Sequence, residues 1–345
     1  MNNRLRTRGL QEAASLIVML LLIIFVMSQL TDVFFTARNL RNMMLEVSTV
    51  GIIAVFTTML MISGGLDLSV AANLALAGVI IGRFQADWGI LQAALAAVGV
   101  STLIGALNGF LVTYVGINPL ITTIGMLSAA RGIALVVADG LTLPVFDLTG
   151  EATDAYTLFH QLGEGEIAGV PLPIVIMVVL LIIGMLVMQF TTYGRALYAI
   201  GGNADASRLA GLSVRRYRMI AYTLTGFSAG IAAVLLTARL YAADPKAAPS
   251  IELTVITAVV LGGVSLAGGK GTLFGTVLGV LILTTLLNGL RLQSTSTELQ
   301  NIAQGLVLLL AVGLDQIRTR NINWLKWLRT TRALPAGQPA SNGGN

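Results

Sequence analysis

Hydrophobic positions in this chain fall in long unbroken runs rather than in stripes along one face. Two of them, "EAASLIVMLLLIIFVMSQL" (12–30) and "IVIMVVLLIIGMLVMQF" (174–190), are about long enough to cross the roughly 30 Å hydrocarbon core of a bilayer. Continuing the count predicts spans near 12–32, 47–62, 69–84, 91–114, 119–137, 172–190, 217–241, 252–266, 272–290 and 298–315. The fold class is therefore an all-α polytopic membrane protein of about ten transmembrane helices, some short or broken at Gly-Gly, with an internal repeat as one reading of the pattern.

Polar positions are segregated between the runs, and their signs orient the chain. Arg4, Arg6 and Arg8 precede the first run; Arg195, Arg208, Arg215, Arg216 and Arg218 crowd the connection 191–218; Arg318, Arg320, Lys326 and Arg329 follow the last run. Basic residues favour the cytoplasmic side, which places all three groups inside the cell. The connection 139–171 carries Asp139, Asp147, Glu151, Asp154, Glu164 and Glu166 and no Lys or Arg, so it belongs outside. Six crossings before the basic loop and four after it satisfy both. Arg38 and Arg41, placed outside by this count, are discordant. Both termini are expected in the cytoplasm.

Composition narrows the function classes. Of 345 residues 55% are hydrophobic and 11% charged, well below the roughly 25% charge of soluble domains. The net charge of +5 is then inner-leaflet anchoring, with the lipid bilayer as a partner and no nucleic acid. No cysteine is present and His160 is the single histidine, which leaves no thiolate or histidine cluster for a metal. The first run lacks a small-residue cleavage site and reads as a retained helix.

The stretch "MLMISGGLDLSVAANLALAG" (59–78) sets Asp67 beside Gly64 and Gly65 between two apolar spans. A carboxylate at bilayer depth is costly and calls for a reason. The flanking spans are short, so the helix is expected to break at Gly64-Gly65, which is tolerated only inside protein or beside a watery cavity. Asp67 or Ser69 can cap the next helix; lining a solute path is the functional reading, compatible with the first. "ISGGLDLS" (62–69) resembles "LGGVSLAGG" (261–269), and "TLIGALNG" (102–109) resembles "TLFGTVLG" (272–279), although the two pairs are offset unequally. Short Gly-interrupted spans in corresponding halves point to a transport pathway; abundant glycine in membrane helices explains them equally well. The Gly-x-x-x-Gly pairs, with Gly226 and Gly230 as a third, are expected to mark close helix packing.

Four elements resemble the permease subunits of bacterial ATP-binding-cassette importers for monosaccharides, the ribose, xylose, galactose and autoinducer-2 group. They are "SGGLDLSV" (63–70), "INPLITTIGMLSAARGIALVV" (117–137), "YGRALYAIGGNADASRLAGLSV" (193–214) and "ITAVVLGGVSLAGGKGTLFGTVLG" (256–279), in the family's order. Val70 is followed by Ala71 and Ala72 where the family usually continues Gly-Ser. The resemblance implies an inner-membrane permease domain over 12–318, between a cytoplasmic N-terminus (1–11) and a cytoplasmic tail (319–345). It also implies a second permease chain, identical or paralogous, two ATPase subunits that bind the ATP and Mg, and a periplasmic sugar-binding protein. This chain itself would hold no cofactor and catalyse nothing. The implied pathway residues are Gly64, Gly65, Asp67, Ser69, Asn118, Arg131, Gly262 and Gly263.

Within the basic loop, "NADASRLAGL" (203–212) forms a short helix on its own terms, with Asn203 as N-cap and Gly211 as its stop. The resemblance makes it the coupling helix, with Gly202, Asn203, Ala206, Arg208, Leu209, Ala210 and Gly211 facing the ATPase; a basic loop resting on lipid is the alternative. No motor is encoded, because "AGGKGT" (267–272) fails as a phosphate loop at Val264 and Gly271. Arg131 lies about 12 Å below its helix end at 1.5 Å per residue and either snorkels outward or turns inward. Trp88, Trp324 and Trp327 fall at predicted interfaces, so no aromatic platform for cargo is seen. A rival class, an ion-coupled secondary transporter, needs several buried acids or histidines, and only Asp67 qualifies.

Overall fold

The computed structural model describes residues 2–146 and 154–320, with side chains described from 13 to 313 and at 316 outside the same gap. Each expected span lies on a helix: α1 (Asn2–Leu30), α2 (Ala37–Ile62), α3 (Val70–Trp88), α4 (Ile90–Phe110), α5 (Pro119–Val137), α7 (Leu172–Phe190), α10 (Val214–Leu240), α11 (Ile251–Leu261), α12 (Leu273–Leu292) and α13 (Thr297–Arg320). Seven of them are long and apolar enough to cross a membrane; α3, α11 and α13 fall short of that standard. A π-helical turn, Leu111–Val115, extends α4. The tail beyond Arg320, with Trp324, Trp327, Lys326 and Arg329, lies outside the described residues, as does 147–153 with Asp147 and Glu151.

α2 and α10 form the centre. The window of α2 that spans is 94% buried, whereas that of α1 is 6% buried and those of α5 and α7 about a quarter. α10 packs along α4 over its length, and small residues set the distance. A Cβ on Gly105 would come within 2.8 Å of the Gly226 Cα, and one on Gly230 within 2.9 Å of the Val98 Cα. A Cβ on Gly279 would overlap the Ala258 carbonyl of α11. The Gly-x-x-x-Gly pairs are thus packing devices, as their spacing predicts.

In its described residues the connection 139–171 includes regular elements. It carries α6 (Asp154–Glu164) and a hairpin of β2 (Glu166–Ile167) on β3 (Val170–Pro171), and β1 (Leu143–Pro144) pairs with β4 (Ala242–Ala243) beyond α10. Phe159 is fully buried, and a Cβ on Gly163 would overlap the backbone of Arg239. The discordance at Arg41 resolves here. Its guanidinium meets Glu166 at 3.1 Å and the Glu164 carbonyl at 3.0 Å, so the start of α2 shares a face with the acidic segment.

The two Gly-Gly breaks are conformationally alike, one residue out of the letter match. Ser63 and Gly262 take the same right-handed cap geometry, and Gly64 (φ 81°) and Gly263 (φ 89°) follow in the left-handed region. Each helix then closes with the same long bond, Gly65 N–H to Leu60 O at 3.0 Å and Val264 N–H to Val259 O at 3.2 Å. The second repeat pair fails: Thr102 lies within α4, whereas Thr272 is the N-cap of α12. A small-residue motif reports close packing and not position along a helix.

Candidate functional site: two helix breaks beneath a basic loop

The connection after α7 folds as α8 (Thr192–Gly202) and α9 (Ala204–Leu209). Asn203 caps α9 as expected, its Oδ1 accepting from Ala206 N–H at 2.9 Å. Gly211 (φ 86°) ends it, and Leu212 N–H closes onto Ser207 O at 3.0 Å. Only Ser207 of α9 is buried; Ala206, Arg208, Ala210 and Gly211 are exposed, and Leu209 is 91% exposed. Arg208 pairs with Asp205 at 3.1 Å in full solvent, a contact worth roughly 0–1 kcal/mol.

Both breaks meet the end of α8. A Cβ on Gly201 would overlap the Ile62 carbonyl and the Gly269 N–H, while Gly269 N–H itself donates to Ile62 O at 2.8 Å. Tyr198 Oη of α8 donates to Gly271 O at 2.9 Å. The turn 262–271 is a compact reversal, with Gly268 N–H on Ser265 O at 3.0 Å and Ser265 N–H on Lys270 O at 3.2 Å, which is the helix–helix turn its glycines suggest.

At the first break every carbonyl that α2 leaves open is answered. Met61 O accepts from Gly64 N–H at 2.9 Å, Ile62 O from Gly269, and Ser63 O from Arg218 Nε at 2.9 Å. Tyr222 Oη donates to Leu66 O at 3.0 Å and accepts from Leu66 N–H at 3.3 Å. Such completeness is what an irregular segment without free access to water requires. Asp67, 2% exposed, accepts on Oδ1 from Ser69 N–H at 2.8 Å and Ser69 Oγ at 2.6 Å, and on Oδ2 from Asn108 Nδ2 at 3.4 Å. Asp67 thereby closes a tight turn just ahead of α3, and among the described residues no N–H of α3 itself is bonded by a side chain. Ser69, the other expected cap, makes no cap bond; its hydroxyl is taken by Asp67 and by Asn108 Nδ2 at 2.8 Å. Among the described residues no cation lies within 4 Å of Asp67.

Of the eight expected pathway residues the fold gathers six. Gly64, Gly65, Asp67 and Ser69 lie at the first break, Gly262 and Gly263 at the second. Asn118 is an exposed N-cap of α5, accepting from Leu120 N–H at 2.9 Å. Arg131 is at the opposite end of the bundle: half-buried, it donates to Pro245 O at 2.7 Å and Ala247 O at 3.2 Å in the connection before α11. It neither snorkels free nor joins the others. Sequence reading missed Tyr222 and Asn108 and saw Arg218 only as a basic flank. Their signal is weak, because each acts through an element distant in sequence.

The arrangement defines a class: a polytopic helical membrane protein with two broken helices braced by one polar loop. Over residues 39–312 the chain matches the family described as "Branched-chain amino acid transport system / permease component". It is 39% identical over 307 residues, 89% of this chain and 94% of the relative, to the ribose import permease protein of Escherichia coli strain K12. It is 35% identical over 314 residues (91% and 95%) to the ribose import permease protein of Bacillus subtilis strain 168. The L-arabinose permease protein of Azospirillum brasilense is 34% identical over 304 residues (88% and 87%). No solved structure matches the chain. The chain belongs to this permease family and is a transport subunit, not an enzyme.

Proposed function

We propose that the chain is the translocation subunit of an inner-membrane ATP-binding-cassette importer for a monosaccharide or similar small polar solute. The observation that carries this reading is the contact of α8 with both helix breaks. A push on α9, whose surface is almost wholly exposed, passes through Gly201 to Ile62 and Gly269, the ends of α2 and of the α11–α12 turn. Backbone packed on backbone transmits displacement without side chains to absorb it. ATPase subunits, which bind ATP and Mg, dock on Ala206, Arg208, Leu209, Ala210 and Gly211; a periplasmic binding protein delivers the solute to the acidic face; a second permease chain completes the assembly. Gly64, Gly65, Gly262 and Gly263 form the gate that this push works, with Asp67 and Ser69 as its frame. Solutes named for the relatives, ribose and L-arabinose, support the cargo class.

The test compares two substitutions on α9. Ala210→Trp adds bulk on the exposed docking face and abolishes uptake and partner-stimulated ATP hydrolysis while the chain still inserts. Arg208→Ala leaves uptake within about twofold, since an exposed ion pair contributes under about 1 kcal/mol. Normal uptake by Ala210→Trp sinks the assignment of this loop. The reverse order of effects indicates lipid contact instead.

A further inference from the structure

At the end of the bundle opposite the breaks, α2, α10, α11, α12 and α13 surround a cavity of about 800 Å³. That lies within the roughly 300–1,000 Å³ of small-molecule sites. None of the eight residues expected to line the pathway borders it. Its polar groups are unevenly satisfied. Asn39 and Asn288, both buried, donate to each other at 3.1 and 2.9 Å. Glu46 is held by Arg291, and Asp244 Oδ1 accepts from Lys246 N–H at 2.7 Å. Of the side-chain nitrogen donors in the wall that are not solvent-exposed, two are left over among the described residues. The half-buried Arg239 guanidinium makes no hydrogen bond or ion pair among the described residues. Gln304, 7% exposed, leaves its Nε2 without a partner among the described residues.

These leftovers specify a guest. A guanidinium carries five N–H donors and a buried amide two, so what they lack is acceptor oxygen. The charged residues of the wall balance, Arg239 and Arg291 against Glu46 and Asp244, which favours an uncharged guest over an anion or a cation. Among the described residues no aromatic side chain borders the cavity, so they offer no stacking platform of the kind a tight sugar site uses, and occupancy is brief. We infer that this cavity is a solute vestibule within one chain, receiving a small, uncharged, polyhydroxylated molecule from the acidic-loop face, with Arg239 and Gln304 as its free donors. The inference deepens, and rests on, the reading of the chain as a translocation subunit.

The experiment uses the assembled importer in cells, with a panel of unlabelled and labelled neutral pentoses and hexoses. For whichever sugar the wild type carries, Arg239→Gln lowers uptake about tenfold, the worth of one hydrogen bond to a charged group, and Arg239→Lys restores part of it. Because Arg239 variants can fail to fold, a second arm exploits the absence of cysteine. Asn301 is exposed and borders the cavity, whereas Leu306, 56% exposed, lies farther along α13 and does not border it. A bulky membrane-impermeant thiol reagent applied outside blocks uptake by Asn301→Cys and spares Leu306→Cys and the wild type. Uptake that survives both Arg239→Gln and labelled Asn301→Cys overturns the vestibule alone. A wild-type complex that hydrolyses ATP yet carries no neutral sugar overturns the functional reading, and the vestibule with it.

Discussion

The two helix breaks end their first helix with the same backbone turn and then diverge. After Gly64 the chain is buried and held by side chains: Arg218 on Ser63 O, Tyr222 on both polar atoms of Leu66, Asp67 on Ser69. After Gly263 the chain passes through buried Val264 and Ser265 and turns past exposed Ala267 and Lys270, held by glycine backbones lying on their neighbours and by Tyr198 on Gly271 O. One break leans chiefly on distant side chains, the other chiefly on backbone packed against backbone. Interrupting a membrane helix thus needs no particular residue, provided that the freed polar groups find partners or solvent.

That comparison can be broken where the two meet. Gly201 touches both breaks, so Gly201→Val displaces them together and lowers stability by more than about 3 kcal/mol, beyond the ordinary cost of overpacking. Loss of folded chain on size-exclusion chromatography of detergent extracts checks this, and a normal elution profile refutes the shared junction. A smaller effect sharpens the glycine side of the contrast. Gly279→Ala, whose methyl overlaps Ala258 O, costs about 1–3 kcal/mol. Gly99→Ala, with nothing within 4 Å of its Cβ, stays within about 0.5 kcal/mol or gains from helix propensity. Thermal midpoints of the two purified variants separate the cases; equal midpoints would mean that α11 and α12 are free to part. The side-chain break is probed by Tyr222→Phe, which strips both bonds from Leu66 and costs about 1–3 kcal/mol. Lys270→Ala at the other break changes the midpoint least, by no more than about 0.5 kcal/mol, as an exposed side chain should.

Much of the fold was legible because a bilayer imposes a simple rule, apolar residues for about 30 Å. Ten runs gave ten helices, yet the start of α2 at Ala37 was hidden, since Asn39, Arg41 and Glu46 read as loop until the acidic segment and α12 supply their partners. α6 was missed for the opposite reason. Its stripe of buried Phe159 with partly buried Ala155, Tyr156 and Leu162 has helical spacing, but the surrounding carboxylates mark a loop when charge is weighed first. Asn203 and Gly211 were readable as caps because capping is local, a matter of three or four residues.

Sequence alone therefore determined the class of protein, the ten apolar helical runs, the break at Gly64-Gly65 and the α9 cap, all effects that act within one turn or along one continuous run. Tertiary structure alone decided that two breaks distant in sequence share one contact at Gly201, that Asp67 is held between Ser69 and Asn108, and that Arg131 and Arg239 lie at the far end. Those outcomes depend on which backbone atoms are left open and which distant donors arrive. A hydrogen bond across 155 residues, such as Arg218 to Ser63, leaves no period in the sequence to read.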